Sequence, residues 1–276
     1  SRRLELYSTV YDWLLRPIAT DLANSDIETL VFVLDGSLRN MPMSVLYDGE
    51  KYLVEDYAIA IAPGLQLLES RPLERGKLEA FIGGLSEARQ GFAALPGVPT
   101  EVDRIKSQIQ ANSRLDSEFT AETVREIVSQ TRSPVLHLAT HGQFSSNAED
   151  TFILTWDDRI NVSELGALLQ GRDETRNNAI ELLVLSACQT AQGDDRAVLG
   201  LAGLAVKSGA RSTIATLWSV RDRSTADLMV EFYRQLSLPA TNKATALRNA
   251  QLWLLAQPDY ELPFYWAPFV LVGNWQ

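Results

Sequence analysis

The only cysteine of the chain and one of its two histidines each close an apolar stretch of the kind that forms a buried strand. Cys188 ends the run that begins at Leu182, and His141 ends the run that begins at Val135. A thiol becomes an effective nucleophile when an imidazole takes its proton or holds it as the thiolate. The pattern therefore predicts a cysteine–histidine pair, with Cys188 as nucleophile and His141 as general base.

The segments that would position this pair alternate between strands and helices. We predict strands over 30–34, 78–82, 135–138, 180–185, 211–217 and 269–272, with β-like segments over 52–61 and helices over 3–17, 100–110, 120–130, 199–207, 225–236 and 242–255. This alternation predicts an α/β fold, a three-layer α/β/α sandwich with a mostly parallel sheet. Ligands of such sheets bind beyond the carboxyl ends of the strands. If the strands before His141 and Cys188 are neighbours, both residues lie at the same edge.

Gly142 and His137, which lie near His141 in the sequence, receive different interpretations. Gly142 has no Cβ, so its N–H can approach a substrate carbonyl and, with the N–H of Cys188, could form an oxyanion hole; losing one such donor typically costs about 3 kcal/mol. His137 lies within the same apolar run, and we interpret it as a buried structural histidine. The structural interpretation of Cys188 stays open too, because a free cysteine after an apolar strand often only fills a core.

Composition narrows the class of protein. The chain has 276 residues, a formal charge of −10, 46% hydrophobic residues and one cysteine. An acidic chain is a poor general ligand for nucleic acid or an anionic membrane, and one cysteine excludes an intrachain disulfide, which favours a cytoplasmic setting. No apolar run is long enough for a transmembrane helix. We expect no cofactor and no metal site; Asp157 and Asp158 could hold a regulatory calcium, but nothing in their spacing selects them.

A series of short motifs follows in a fixed order along nearly the whole chain. They are Val33-Leu34-Asp35-Gly36 with Met41-Pro42, Tyr52 to Tyr57, Leu95-Pro96-Gly97 with Glu101-Val102, His137 to Gly142, Leu185 to Thr190, Gly209-Ala210-Arg211, Leu217 to Asp222, and Phe264 to Phe269. Together they resemble the CHAT domain, a family of caspase-like proteins associated with tetratricopeptide repeats. The family is common in cyanobacteria and related to separases within peptidase clan CD.

The resemblance implies a caspase-like fold with a degenerate N-terminal half. Residues 1–95 would form the N-terminal pseudo-caspase-like part and residues 96–276 the protease part. It also implies that His141 is the base, Cys188 the nucleophile, and the N–H groups of Gly142 and Cys188 the oxyanion donors. The partners implied are a protein or peptide substrate and a tetratricopeptide region upstream of Ser1, in keeping with a chain that does not begin with Met.

Asp222 bears on specificity. In separases an acidic residue after the Leu-Trp-x-Val-x motif receives a basic side chain, and Asp222 holds the matching position. A buried carboxylate would favour Arg or Lys and reject Asp, because an unmatched buried charge is costly. Asp222 could equally be a favourable charge at a helix N-terminus, and the flanking Arg221 and Arg223 could neutralise it.

Three further residues are candidates for substrate binding. Asp194 and Asp195 follow Cys188 and form either a second basic-side-chain pocket or a solvated loop. Trp218 either walls the pocket or belongs to the core.

Three functions remain open at this stage. The first is a cysteine endopeptidase that an attached or partner domain regulates. The second is a catalytically silent caspase-like signalling or scaffold module. The third is a small-molecule enzyme on a doubly wound sheet, for which Gly83-Gly84 after a strand is the only hint of a phosphate loop.

Overall fold

The computed structural model describes residues 2–64, 73, 78–130, 133–145, 150–176, 180–190, 206 and 209–276, and for residues 144, 172–176 and 187–190 it describes the backbone. The helices are α1 (Arg2–Leu14), α2 (Ala19–Ala23), α3 (Leu53–Asp56), α4 (Val98–Lys106), α5 (Ala121–Gln130), α6 (Val162–Arg176), α7 (Asp222–Leu236), α8 (Lys243–Leu255) and α9 (Pro263–Trp266). The strands are β1 (Thr29–Phe32), β2 (Ala58–Ile61), β3 (Glu79–Gly84), β4 (Gln110–Leu115), β5 (Val135–Phe144), β6 (Phe152–Leu154), β7 (Arg159–Asn161), β8 (Leu182–Thr190), β9 (Ser212–Thr216) and β10 (Phe269–Gly273).

One mixed sheet runs through the described chain in the order β1-β2-β10-β9-β8-β5-β3-β4. The pairs β1–β2, β2–β10, β8–β9, β5–β8, β3–β5 and β3–β4 are parallel, whereas β9–β10 is antiparallel. The hairpin β6–β7 pairs with the end of β5. Strands from residues 1–95 and from residues 96–276 therefore share one sheet.

Hydrophobic side chains cover both faces of this sheet. On one face Leu183 and Leu185 of β8 pack with buried residues of α5 and α6. On the other face Leu182 and Val184 pack with buried residues of α4, α7 and α8. This alternation follows from the two-residue period of a strand, and it confirms the predicted α/β/α sandwich with a mostly parallel sheet.

The edges of the sheet differ from the sequence-based prediction. The segment 30–34 was expected to be a buried strand, but β1 is an edge strand, with Val31 38% and Val33 48% exposed. The predicted helix over 100–110 ends at Lys106, and the polar strand β4 follows it at the other edge. Within 52–61, α3 precedes β2. An edge strand needs little apolar sequence, so hydrophobicity alone neither locates β4 nor separates an edge from an interior strand.

Gly83 and Gly84 lie inside β3, where packing accounts for them. A Cβ on Gly83 would come within 2.2 Å of the Phe119 ring, and a Cβ on Gly84 within 2.8 Å of the Ala139 carbonyl oxygen. Both glycines therefore allow close approach of neighbouring groups. Packing within the sheet thus explains the Gly83-Gly84 pair, which was the sequence hint of a phosphate loop.

Polar residues before two helices act as caps. Thr120 Oγ1 accepts a hydrogen bond from Thr123 N at 3.1 Å, and Asn161 Oδ1 accepts one from Glu164 N at 2.8 Å; both are residue types that commonly cap helices. Asp157 Oδ1 accepts from Ala121 N at 2.8 Å.

Across the described ranges, no three His, Cys, Asp or Glu side chains are grouped so that they could hold a metal ion. Within those ranges no helix is both long and apolar enough to cross a membrane. Most of the predicted helix 199–207 lies outside the described residues.

Lys243, the first residue of α8, is fully buried. None of the described residues accepts a hydrogen bond from its Nζ. Burial lowers the pKa of Lys243 to about 8, although the nearby charge of Glu181 opposes this change. A buried cation at a helix N-terminus also meets the positive end of the helix dipole.

We expect Lys243→Met to stabilise the fold at pH 7. Between pH 8 and 10.5 the unfolded chain keeps the Lys243 proton that the folded chain has lost, so wild-type stability rises with pH across this window, by at most about 3 kcal/mol. The variant should lack that rise and should have the higher melting temperature below pH 8. Urea unfolding at several pH values measures both effects. Lys106→Met, at an exposed site, is the control; equal responses of the two variants would contradict the assignment.

Candidate active site

Strands β5 and β8 are parallel neighbours at the centre of the sheet, as the cysteine–histidine prediction required. Their register places Gly142 opposite Cys188 and His141 opposite Ala187. An irregularity in the pairing between Leu138 and His141 precedes this segment. The backbones of the two predicted catalytic residues therefore adjoin near the carboxyl ends of both strands. The side chain of Cys188 lies outside what the structure describes.

The His141 ring is buried, with 5% of the residue exposed. Its Nε2 lies 2.7 Å from the carbonyl oxygen of Ala93. A carbonyl only accepts hydrogen bonds, so Nε2 carries the hydrogen and the neutral ring has its lone pair on Nδ1. This Nδ1 is buried, and no hydrogen-bond partner for it occurs among the described residues. The ring of Phe92 lies 5.1 Å from the imidazole, centroid to centroid. His141 is thus held with its basic nitrogen free of any hydrogen-bond partner among the described residues.

A tight turn brings Phe92 and Ala93 to His141. Arg89 and Phe92 exchange backbone hydrogen bonds of 3.2 and 2.8 Å. Between them Gln90 (φ 49°) and Gly91 (φ 87°) occupy the left-handed region, as both central residues of a type I′ turn do. The Arg89 guanidinium lies 3.1 Å from the centroid of the Trp156 ring, in the turn of the hairpin β6–β7. In the sequence, Gln90-Gly91 is the signal for this turn.

A cavity of about 140 Å³ adjoins His141. It is lined by Ala93, Leu95, Val98, Glu101, His141, Ser186, Thr216, Ser219, Val220, Asp222 and Thr225. The structure thus brings the predicted residues His141 and Asp222 together at one cavity, and it adds Glu101 and Ser186, for which sequence analysis gave no role in the site.

Asp222 lies both at a helix N-terminus and at the cavity. It is the first residue of α7, where a negative charge favours the helix, and it also lines the cavity. Its carboxylate accepts a hydrogen bond from Gly97 N–H at the start of α4. A Cβ on Gly97 would come within 2.6 Å of Asp222 Oδ2, so this approach requires glycine. Burial raises the pKa of Asp222, the Gly97 hydrogen bond opposes that rise, the charge of Glu101 raises the pKa further, and His141 lowers it.

The arginines beside Asp222 are exposed. The Arg221 guanidinium lies 5.9 Å from the centroid of the Tyr265 ring. Within the described part of the chain, neither Arg221 nor Arg223 forms an ion pair with Asp222. The flanking arginines therefore do not neutralise the Asp222 carboxylate by direct pairing.

A buried polar row lies behind the cavity. His137 is completely buried, which confirms its interpretation as a core histidine. Its Nδ1 lies 3.0 Å from the Tyr233 hydroxyl, and its Nε2 lies 3.0 Å from Glu101 Oε1. Burial and the charge of Glu101 raise the pKa of Tyr233 well above its ordinary value. Tyr233 therefore stays neutral and can exchange a hydrogen bond with His137.

Of the other predicted binding residues, the structure describes only Trp218. Trp218 Nε1 donates to the Phe264 carbonyl oxygen at 3.1 Å, and the ring packs against the core on the α7 side of the sheet. Trp218 is absent from the described lining of the cavity. Asp194 and Asp195 lie outside the described residues.

Solved structures with a similar fold are cysteine proteinases and a separase complex. The Arg-specific cysteine proteinase gingipain R matches with a TM-score of 0.59 at 8% identity, over 98% of this chain and 66% of that chain. A complex of the pro- and mature domains of Porphyromonas gingivalis RgpB matches with a TM-score of 0.58 at 9% identity, over 98% and 68%. The Saccharomyces cerevisiae separase–securin complex matches with a TM-score of 0.59 at 12% identity, over 91% and 16%. The chain thus spans just under two thirds of the gingipain chain and a small part of separase.

The fold of this chain is therefore the caspase-like fold of gingipain and separase. No curated protein matches the chain. The model of the CHAT domain family matches residues 4–274, which is nearly the full length. On that match, the chain belongs to the CHAT domain family.

Proposed function

We propose that this chain is a cysteine endopeptidase in which Cys188 attacks a peptide carbonyl and His141 is the general base. The pairing of β5 with β8 carries this proposal, because it puts Gly142, next to His141, directly opposite Cys188. The unoccupied Nδ1 of His141 supports it, since a general base needs a free lone pair. The similar fold of gingipain R, named as a cysteine proteinase, adds support for this chemistry on this architecture.

The proposed reaction has two stages. His141 Nδ1 takes the Cys188 thiol proton, and the thiolate attacks the substrate carbonyl carbon. The N–H groups of Gly142 and Cys188 stabilise the oxyanion, and the imidazolium gives its proton to the leaving amine as the C–N bond breaks. Water then attacks the acyl-enzyme with His141 as base, and the thiol is released with the carboxylic acid product. The Ala93 carbonyl, which accepts from Nε2–H, holds the ring and stabilises its charged form.

We propose a basic side chain, Arg or Lys, before the scissile bond. Asp222 supplies a carboxylate at the cavity beside His141, and a cation there regains the electrostatic energy lost through burial. In this proposal, Asp194 and Asp195 are a second source of negative charge. Trp218 forms an outer wall of the substrate site. In the division proposed here, residues 1–95 form the non-catalytic part and residues 96–276 the protease part.

We also propose that an attached tetratricopeptide region or a partner protein regulates the enzyme in the cytoplasm. The separase of similar fold is seen in complex with securin. A His141 that is already oriented, with an open cavity next to it, would leave the regulator to act on substrate access.

Cys188→Ala should abolish hydrolysis of a peptide with Arg before the scissile bond, by at least about a thousandfold in kcat. It should also abolish labelling by an arginyl acyloxymethyl ketone, measured by intact mass. Ser129→Ala, a small change at an exposed site away from the cavity, is the control and should keep the label. A folded wild-type chain that takes no label, with or without the upstream region, would contradict the proposal. Full biological activity of Cys188→Ala would favour the silent signalling or scaffold module.

Arg89→Ala should lower kcat about tenfold with little change in KM. The substitution removes the stacking on Trp156 that anchors the turn, so Ala93 and Phe92 orient His141 less well. NMR of the two histidines reads this directly, because the His141 resonances should broaden or shift while those of the core residue His137 do not. Arg39→Ala, at an exposed site, is the control. An unchanged His141 signal in Arg89→Ala would show that the turn does not hold the imidazole.

Acid should reduce the preference for a basic side chain. As the pH falls through the raised pKa of Asp222, the carboxylate becomes neutral and loses its attraction for a cation. The ratio of kcat/KM for an Arg substrate to that for a Leu substrate should therefore fall, starting above the range of an ordinary Asp. The ratio of the two kcat/KM values is used because pH effects on the catalytic step are common to both substrates and cancel. Asp222→Asn should give a low ratio that does not vary with pH; a steep pH dependence in that variant would refute the role of Asp222.

A further inference from the structure

Three buried polar atoms without hydrogen-bond partners in the described part of the chain belong to residues that line one cavity. They are Glu101 Oε1, Ser186 Oγ and His141 Nδ1. Buried polar groups are nearly always paired, so each such atom indicates a missing partner. The proposed reaction accounts for His141 Nδ1, which takes the thiol proton. It leaves Glu101 Oε1 and Ser186 Oγ without a hydrogen-bond donor among the described residues, although His137 Nε2 lies 3.0 Å from Glu101 Oε1.

Glu101 is the costlier of the two to leave unpaired. The residue is 1% exposed, so solvent does not satisfy its charge. Its Oε1 lies 3.0 Å from His137 Nε2, but the contact lacks the geometry of a hydrogen bond. On its other side His137 pairs with Tyr233. A second acidic group, Asp222, lines the same cavity and adds to the negative potential there. A buried carboxylate whose one close polar neighbour is an imidazole has acceptor positions for a donor that enters the cavity.

The volume and lining of the cavity fit a cation on an aliphatic stem. Its volume of about 140 Å³ is that of roughly five water molecules. Leu95, Val98 and Val220 supply apolar wall for methylene groups, and the carboxylates supply acceptors for the charged head.

We propose that Glu101 is a specificity-determining residue that, together with Asp222, makes this cavity select the guanidinium of arginine over the ammonium of lysine. The carboxylate of Asp222 already accepts from Gly97 N–H, which leaves it fewer acceptor positions for an incoming group. Glu101 offers a second point of attachment from a different helix. A planar guanidinium has five N–H donors in a fixed fork and can bridge two carboxylates, whereas an ammonium is a compact point charge. Ser186 Oγ can accept a remaining N–H.

For its substrate this inference rests on the proposed function, but binding tests it without any turnover. The probes are n-propylguanidine and n-butylamine, which reproduce the arginine and lysine side chains from Cβ outward. NMR of the two histidines reports occupancy, because His137 contacts Glu101 and His141 lines the cavity. Propylguanidine should shift both histidines and bind at least tenfold more tightly than butylamine.

Glu101→Gln should weaken propylguanidine binding about tenfold and reduce the preference over butylamine to less than threefold. Glu87→Gln removes the same charge at an exposed site and should change neither value. Asp222→Asn should weaken both probes. The Asp222→Asn variant also tests the proposal if Glu101→Gln fails to fold. A preference for guanidinium that survives unchanged in Asp222→Asn would exclude bridging between the two carboxylates. Absence of any propylguanidine shift in the wild type, or wild-type preference in folded Glu101→Gln, would overturn the inference.

Turnover separates this inference from the proposed function. With Arg and Lys peptides that are otherwise identical, Glu101→Gln should lower the Arg-to-Lys ratio of kcat/KM about tenfold while the Cys188 label persists. Labelling and hydrolysis with an unchanged ratio would overturn the role of Glu101 and leave the peptidase standing. Selective propylguanidine binding to a chain that never turns over would contradict the peptidase and leave the guanidinium site standing.

Discussion

Everything at the candidate site depends on the parallel pairing of β5 with β8 at the centre of the sheet. Its register aligns Val135 with Leu182 at one end and Gly142 with Cys188 at the other, with an irregularity between Leu138 and His141. Cores on both faces bury this pair of strands, so a slip of one residue would turn apolar side chains toward the wrong layer. The same packing that fixes the register therefore fixes the position of Gly142 opposite Cys188.

The orientation of His141 comes from a segment far from it in sequence. The Ala93 carbonyl sets the tautomer, and Phe92 covers the ring. Both follow a turn that Arg89 anchors on Trp156. A base without this support would rotate among several orientations, and effective proton transfer requires one of them. The loop, the hairpin β6–β7 and β5 thus act as one unit around the imidazole.

The acidity of the cavity results from charges that the fold removes from water. Asp222 begins α7 and accepts from the N–H of Gly97 at the start of α4, so one carboxylate joins two helices. Glu101, one turn further along α4, is almost completely buried. Its carboxylate contacts His137, and His137 in turn pairs with Tyr233. Burial and the charge of Glu101 raise the pKa of Asp222, so the ionised form of Asp222 is costly in this cavity. In the proposed role, a cation that enters the cavity relieves that cost.

The sequence by itself determined the layer order, the positions of the central strands, the caps at Thr120 and Asn161, and the burial of His137. Apolar runs and capping residues are local signals, and each acts within one turn or one strand. It also located His141 and Cys188 at the ends of two apolar runs, and only the tertiary structure made those two strands neighbours. Tertiary structure decided the rest: that β1 is an edge strand, that Gly83 faces Phe119, that Ala93 fixes the His141 tautomer, and that Glu101 enters the same cavity as Asp222. These contacts join residues far apart in the chain, and a carbonyl, a glycine or a glutamate carries no sequence signal for the partner it will meet.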